Sequence, residues 1–154
     1  FIVYGLIERN QTLVVAESCT GGYLSHRITN VSGSSAVFPA GHCVYSNESK
    51  ESILGVSKIA LEKGAVSQSV AREMADRVRL LHKADYALAT TGIAGPTGGT
   101  EEKPVGTVYI GISTAQGTRV IKECNRCDRE TFKYVTSQQA LNLLRREWYK
   151  KARH

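Results

Sequence analysis

Apolar positions along the chain switch between two periods, and the switching lays out the order of elements. Phe1–Asn10 carries apolar residues at helical spacing. Thr12–Glu17, TLVVAE, is a β-branched and apolar run that reads as a buried strand. Thr20-Gly-Gly then opens a helix to about Thr29, with Tyr23, Leu24 and Ile28 facing inward. After the loop VSGSS, Ser35–Ser46 reads as a second strand, which Pro39 assigns to an edge or a bulge. A short helix capped by Asn47 and stopped at Gly55 follows, then another over Ser57–Lys63. Ser67 caps a longer helix whose core stripe is Val70, Met74, Val78 and Leu81.

Asp85–Gly92, DYALATTG, is a strand that runs into a glycine-rich loop. Thr107–Cys124 alternates as a hairpin about a Gln116-Gly117 turn. Asp128 starts a final helix through Phe132, Val135, Ala140, Leu141 and Leu144. Helices interleave with strands, and the late hairpin adds an antiparallel pair. The pattern therefore predicts a single-domain α/β layered sandwich, with a mixed parallel/antiparallel sheet of about five strands flanked by helices.

The length of 154 residues suits one compact domain. No apolar run approaches the roughly 20 residues of a membrane helix, and nothing resembles a secretory leader. The sequence opens on Phe1 rather than Met, which leaves room for residues upstream. The net charge of +6 invites a nucleic-acid reading. The closing segment RREWYKKARH, however, holds five Lys/Arg against one Glu, and a solvated basic helix end accounts for that excess without a ligand. Neither a nucleic-acid nor a membrane partner is expected. Of Cys19, Cys43, Cys124 and Cys127, only the last two have C-x-x-C spacing, with no second pair to complete a metal site. Thiols of a reducing cytoplasm are the expectation, with no metal and no cofactor.

Three segments that follow predicted strands carry the candidate chemistry: Ser18–Gly22, Tyr45–Lys50 and Thr91–Gly99. Ligands of open α/β sheets gather at the carboxyl ends of strands. Ser18 stands where a strand gives way to a helix, so N–H groups of the first turn could stabilise an oxyanion or bind phosphate. A helix cap by Ser18 or Thr20 accounts for the segment taken alone. A serine nucleophile needs a base, and no histidine is placed as its partner. Lys50 is the candidate, since burial disfavours an ammonium, and Tyr45 could relay a proton or orient the lysine. By itself Lys50 also reads as a surface lysine. The loop TTGIAGPTGGT offers backbone N–H groups and the hydroxyls of Thr90, Thr91, Thr97 and Thr100 to an anion, with Lys103 and Arg129 as nearby charges. It matches neither standard nucleotide motif, and a structural loop fits it equally.

AESCTGG (16–22), SGSSAVF (32–38), YSNESK (45–50), GAVSQSVAREMA (64–75), TGIAGPTGG (91–99), EKPVGTVYI (102–110) and DRE (128–130) occur in an order and spacing that resemble the CinA C-terminal domain, the nicotinamide mononucleotide deamidase family. The resemblance covers nearly the whole chain. It implies hydrolysis of the nicotinamide mononucleotide carboxamide to nicotinic acid mononucleotide and ammonia. It also implies a nucleophile at Ser18, a lysine base at Lys50 and a helping tyrosine at Tyr45. The resemblance places substrate contacts on the loop Thr91, Gly92, Ile93, Ala94 and Gly95 and on Arg129. Beside it, main-chain N–H groups near Thr20, Gly21 and Gly22 are expected to hold the oxyanion, and Lys103 to reach a phosphate. Two positions depart from the family pattern: the glycine usual before the Asp-Arg pair is Cys127, and an arginine often found a turn later is Lys133. Lysine keeps the charge but loses the bidentate fork. A homo-oligomer is implied as well. A non-catalytic nucleotide-binding module is the alternative that the glycine-rich segments equally allow.

Overall fold

The computed structural model describes residues 1–151. In chain order the elements are α1 (Ile2–Arg9), β1 (Leu13–Glu17), α2 (Tyr23–Thr29), β2 (Gly41–Cys43), α3 (Asn47–Leu54), α4 (Lys58–Glu62), α5 (Gln68–His82), β3 (Tyr86–Gly92), β4 (Thr107–Thr114), β5 (Gly117–Cys124) and α6 (Arg129–Lys151). The strands form one sheet of order β2-β1-β3-β4-β5. β1 runs parallel to both β2 and β3, whereas β3–β4 and β4–β5 are antiparallel. The expected single-domain mixed sheet with helical flanks is the observed architecture.

The period of two in a strand divides the core. Leu13 and Val15 of β1 join one apolar cluster with Leu6 of α1, Leu24 of α2, and Phe132 and Leu144 of α6. Val14 and Ala16 join another with Leu54 of α3 and with Val70, Met74 and Val78 of α5. Helices therefore cover β1 on both faces, which is why its sequence is continuously apolar rather than alternating. Each fully buried aliphatic side chain contributes about 1.5–3 kcal/mol relative to an exposed one. Helix α5 lies so close to the sheet that a Cβ on Gly111 would stand 2.8 Å from the Ala71 carbonyl oxygen.

Four boundaries differ from the sequence expectation, each for a local reason. The second strand is only Gly41–Cys43, and Ser34–Ala36 is a 3₁₀ turn. Pro39 has no N–H to give a ladder, and the segment around it supplies only the Val37 and Ala40 carbonyls to β1. Helix α3 is capped by Ser46, whose hydroxyl accepts from the Ser49 N–H at 3.0 Å, and Asn47 is already helical. The hairpin loop is Ala115-Gln116, because Thr114 pairs with Gly117. Leu81 is 55% exposed, since the last turn of α5 lies beyond the apolar cluster that ends at Val78. Ser67 does cap α5, accepting from the Val70 N–H at 3.3 Å. The end of the basic tail, residues 152–154, lies outside the described residues. No helix among the described residues is long and apolar enough to cross a membrane.

The sheet order fixes where a cleft forms. From β1 the chain passes to β2 on one flank, and β3 lies on the other. That reversal creates a crevice at the carboxyl ends of β1 and β3.

Candidate active site

Ser18 continues β1 by one residue, its N–H donating to the Thr90 carbonyl of β3 at 3.0 Å. The chain then turns through Gly21 (φ 58°) and Gly22 (φ 94°), both left-handed and suited to glycine. The Gly21 N–H closes this turn on the Ser18 carbonyl at 3.0 Å. Ser18 Oγ is thereby presented at the floor of an open cleft of about 280 Å³.

Lys50 reaches the same point from α3. Its residue is only 1% exposed. Nζ lies 2.9 Å from Ser18 Oγ, 2.9 Å from the Val44 carbonyl oxygen and 3.0 Å from the Tyr45 carbonyl oxygen. Burial lowers its pKa from the ordinary lysine value. The arrangement settles where a lone pair would point. Carbonyl oxygens can only accept, so a neutral amine gives its two protons to Val44 and Tyr45 and turns its lone pair to the Ser18 hydroxyl. No histidine of the described residues lines the cleft. His42 and His82 instead pair with each other, Nε2 to Nε2 at 2.7 Å, and His26 faces Asn30.

The expected loop forms the opposite wall, with Thr91, Gly92, Ile93, Ala94 and Gly95 all on the cleft. The N–H groups of Ala94, Gly95, Thr97 and Gly98 have no hydrogen-bond partner among the described residues. Thr91 spends its hydroxyl on the Ala65 carbonyl at 2.8 Å, Thr90 is bonded to Thr20, and Thr100 accepts from the Lys103 N–H. Of the four threonines considered, Thr97 alone brings an unengaged hydroxyl to the cleft. Arg129, at the start of α6, closes the rim. Its Nη1 donates to the Gly95 carbonyl at 2.8 Å and its Nη2 to the Tyr45 phenol at 2.9 Å.

Several predicted residues take other places. The Tyr45 phenol, expected to orient or relay for Lys50, is 60% exposed and bonded to Arg129. The main-chain carbonyl of Tyr45 is what orients the lysine. Thr20, Gly21 and Gly22 do not line the cleft. Thr20 is buried, with its hydroxyl given to Glu17 at 2.6 Å. The first-turn donors of α2 are taken, since the Leu24 and Ser25 N–H groups go to the Glu17 carboxylate at 2.8 and 2.9 Å. Of the main-chain donors expected near Thr20–Gly22, that of Gly21 is bonded to Ser18, whereas those of Thr20 and Gly22 have no partner among the described residues. Lys103 stands apart, its ammonium over Gly64. Lys133 packs over Gly21, within 3.5 Å of where a Cβ would be. Cys19 is 5% exposed, and burial pushes its thiol up to about 12, so no thiolate competes with Ser18.

Sequence reasoning missed Glu17, Asn47, Ala65 and Val66, and the two carbonyls that hold Lys50. Only Glu17 had a legible signal, an acid ending an otherwise apolar strand. Main-chain acceptors leave none.

Fold and cleft together define a single α/β domain of mixed sheet, with a buried lysine set against a serine at the switch point. The chain belongs to the CinA C-terminal domain family, whose model matches residues 1–148. It is 51% identical over 143 residues to a CinA-like protein of Syntrophus aciditrophicus (92% of this chain, 34% of that one). It is 50% identical over 140 residues to a CinA-like protein of Geobacter sulfurreducens (90% of this chain, 34% of that one). It thus spans about a third of the length of these curated relatives. Among solved structures, the competence damage-inducible protein A (ComA) of Klebsiella pneumoniae superposes with a TM-score of 0.89 at 33% identity, covering 93% of this chain and 89% of that one. The competence/damage inducible protein CihA of Agrobacterium tumefaciens gives 0.88 at 36% identity, covering 93% and 88%.

Proposed function

We propose that the domain is an amidohydrolase that deamidates nicotinamide mononucleotide through a Ser18 nucleophile and a Lys50 base. The observation that carries the reading is the 2.9 Å contact between Lys50 Nζ and Ser18 Oγ, in a setting that lowers the lysine pKa and directs its lone pair. Ser18 Oγ attacks the carboxamide carbon while its proton passes to Lys50. The tetrahedral intermediate collapses, the C–N bond breaks, and the Lys50 ammonium returns that proton to the departing nitrogen as ammonia leaves. Water, deprotonated by the same amine, then attacks the acyl ester, releasing the carboxylate and restoring Ser18.

The opposite wall suits the rest of such a substrate. The unpartnered N–H groups of Ala94, Gly95, Thr97 and Gly98 and the guanidinium of Arg129 are donors for its anionic and carbonyl oxygens. The Tyr45 phenol acts through Arg129 at the rim rather than on the proton transfer. Replacing Ser18 with alanine and measuring ammonia release from nicotinamide mononucleotide tests the proposal. Release should fall to background, and undiminished turnover rejects the nucleophile. Mononucleotide binding without ammonia release, by the parent protein, favours a non-catalytic binding module.

A further inference from the structure

Glu17 has no exposed surface and forms no ion pair among the described residues. An isolated carboxylate is costly to bury unless donors replace its water. Here they do, in full. Oε1 accepts from the Thr20 hydroxyl at 2.6 Å and the Leu24 N–H at 2.8 Å. Oε2 accepts from the Ser25 N–H at 2.9 Å and the Ser25 hydroxyl at 2.7 Å.

The placing of these donors gives the group its purpose. Thr20 precedes the Gly21-Gly22 pair, and Leu24 and Ser25 follow it. One carboxylate therefore spans the most flexible part of the turn that begins at Ser18. A second brace comes from β3. Thr20 gives its proton to the carboxylate, which can only accept, so the Thr90 hydroxyl donates to Thr20 at 2.8 Å. The Thr90 carbonyl holds the Ser18 N–H. Without the carboxylate, residues 20–25 would lose their common anchor, and the two left-handed glycines would be left to main-chain bonds such as those from Gly21 to Ser18 and from Tyr23 to Thr20, both at 3.0 Å.

We propose that Glu17 is a positioning residue, which holds Ser18 Oγ on Lys50 by tying both ends of the diglycine turn. This role rests on the reading of Ser18 as nucleophile. Its chemical signature is that of an acceptor-only group. Glutamine, the same in shape, turns an NH₂ toward two of the four donors and in either orientation leaves one main-chain N–H, of Leu24 or of Ser25, unsatisfied.

The test uses a small alkyl fluorophosphonate, which reports on the serine without depending on the amide substrate. Ser18 Oγ forms a bond to phosphorus, fluoride leaves, and the serine proton goes to Lys50. In Glu17→Gln the limiting rate of Ser18 labelling, followed by intact mass, should fall about tenfold or more. The midpoint of its pH dependence, set by Lys50, should stay at the parent value. Glu17→Asp, which keeps the charge on a shorter arm, should recover part of the rate. Should the glutamine variant fail to fold, the near-isosteric Thr20→Val removes one of the four donors and should slow labelling in the same way. Labelling of a folded Gln or Val variant at the parent rate overturns the positioning role alone, as does a moved pH midpoint, which would make the effect one of charge. No labelling of the parent at Ser18 overturns the nucleophile and this role together.

Discussion

Replacing Lys50 with methionine probes the centre of the reasoning, because activity and stability should respond differently. Methionine is unbranched and of similar reach, so it can fill the same channel while offering neither donor nor base. On activity, Ser18 loses the only basic nitrogen within hydrogen-bond distance among the described residues, the Nζ at 2.9 Å. General-base assistance is worth about 10²–10⁴-fold, which at about 1.36 kcal/mol per decade is about 3–5 kcal/mol of barrier. We expect kcat for ammonia release to fall by about 100-fold at the least. On stability, the Val44 and Tyr45 carbonyls lose a donor, costing about 1–2 kcal/mol each. Removing an amine whose charged form burial disfavours works the other way. The two oppose, so unfolding free energy at neutral pH should change by less than about 2 kcal/mol.

The pH dependence carries the sign. Lys50 binds fewer protons folded than unfolded, because its folded pKa lies below the ordinary 10.5. Parent stability should therefore rise with pH between the depressed folded value and 10.5, and this component should vanish in Lys50→Met. Ammonia release from nicotinamide mononucleotide over about pH 6 to 9, with urea unfolding at each pH, measures both. A folded Lys50→Met retaining activity within about threefold of the parent refutes a lysine base.

Other outcomes follow from the same geometry. Burial and the facing His82 depress the His42 pKa below its ordinary 6.5, so the unfolded chain takes up a proton there more readily. Stability should fall as pH drops from about 6.5 toward the folded value, and His42→Gln should flatten that limb in urea midpoints. Gly111→Ala places a methyl 2.8 Å from the Ala71 carbonyl and 3.2 Å from the Ala75 Cβ. It should cost about 1–3 kcal/mol as α5 is pushed off β4, and an unchanged urea midpoint would contradict that packing. Iodoacetamide on the native protein should modify the exposed Cys43 and Cys124 and spare Cys19, as peptide mass mapping would report. On the proposed mechanism, Cys19→Ala should release ammonia from nicotinamide mononucleotide at the parent rate, and loss of release with the fold intact would reopen the choice of nucleophile.

The sequence by itself determined the order and class of the elements. The continuous apolar run Leu13–Ala16 and the period of 3.6 in Val70, Met74 and Val78 are local facts, the first calling for a strand covered on both faces and the second for a helix buried on one. The same locality made SCTGG legible as a turn after a strand. Where a boundary depended on neighbours, the sequence was silent: the second strand shrank to Gly41–Cys43 because only those residues find a ladder on β1. Tertiary structure decided the rest. Ser18 and Lys50 are 32 positions apart, and only the order β2-β1-β3 brings the end of β1 beside the start of α3. Side-chain direction across such a gap depends on how helices seat on the sheet, and composition does not encode it. That is why Tyr45 serves Lys50 with its carbonyl and Arg129 with its phenol, and why Thr20 faces Glu17 instead of the cleft.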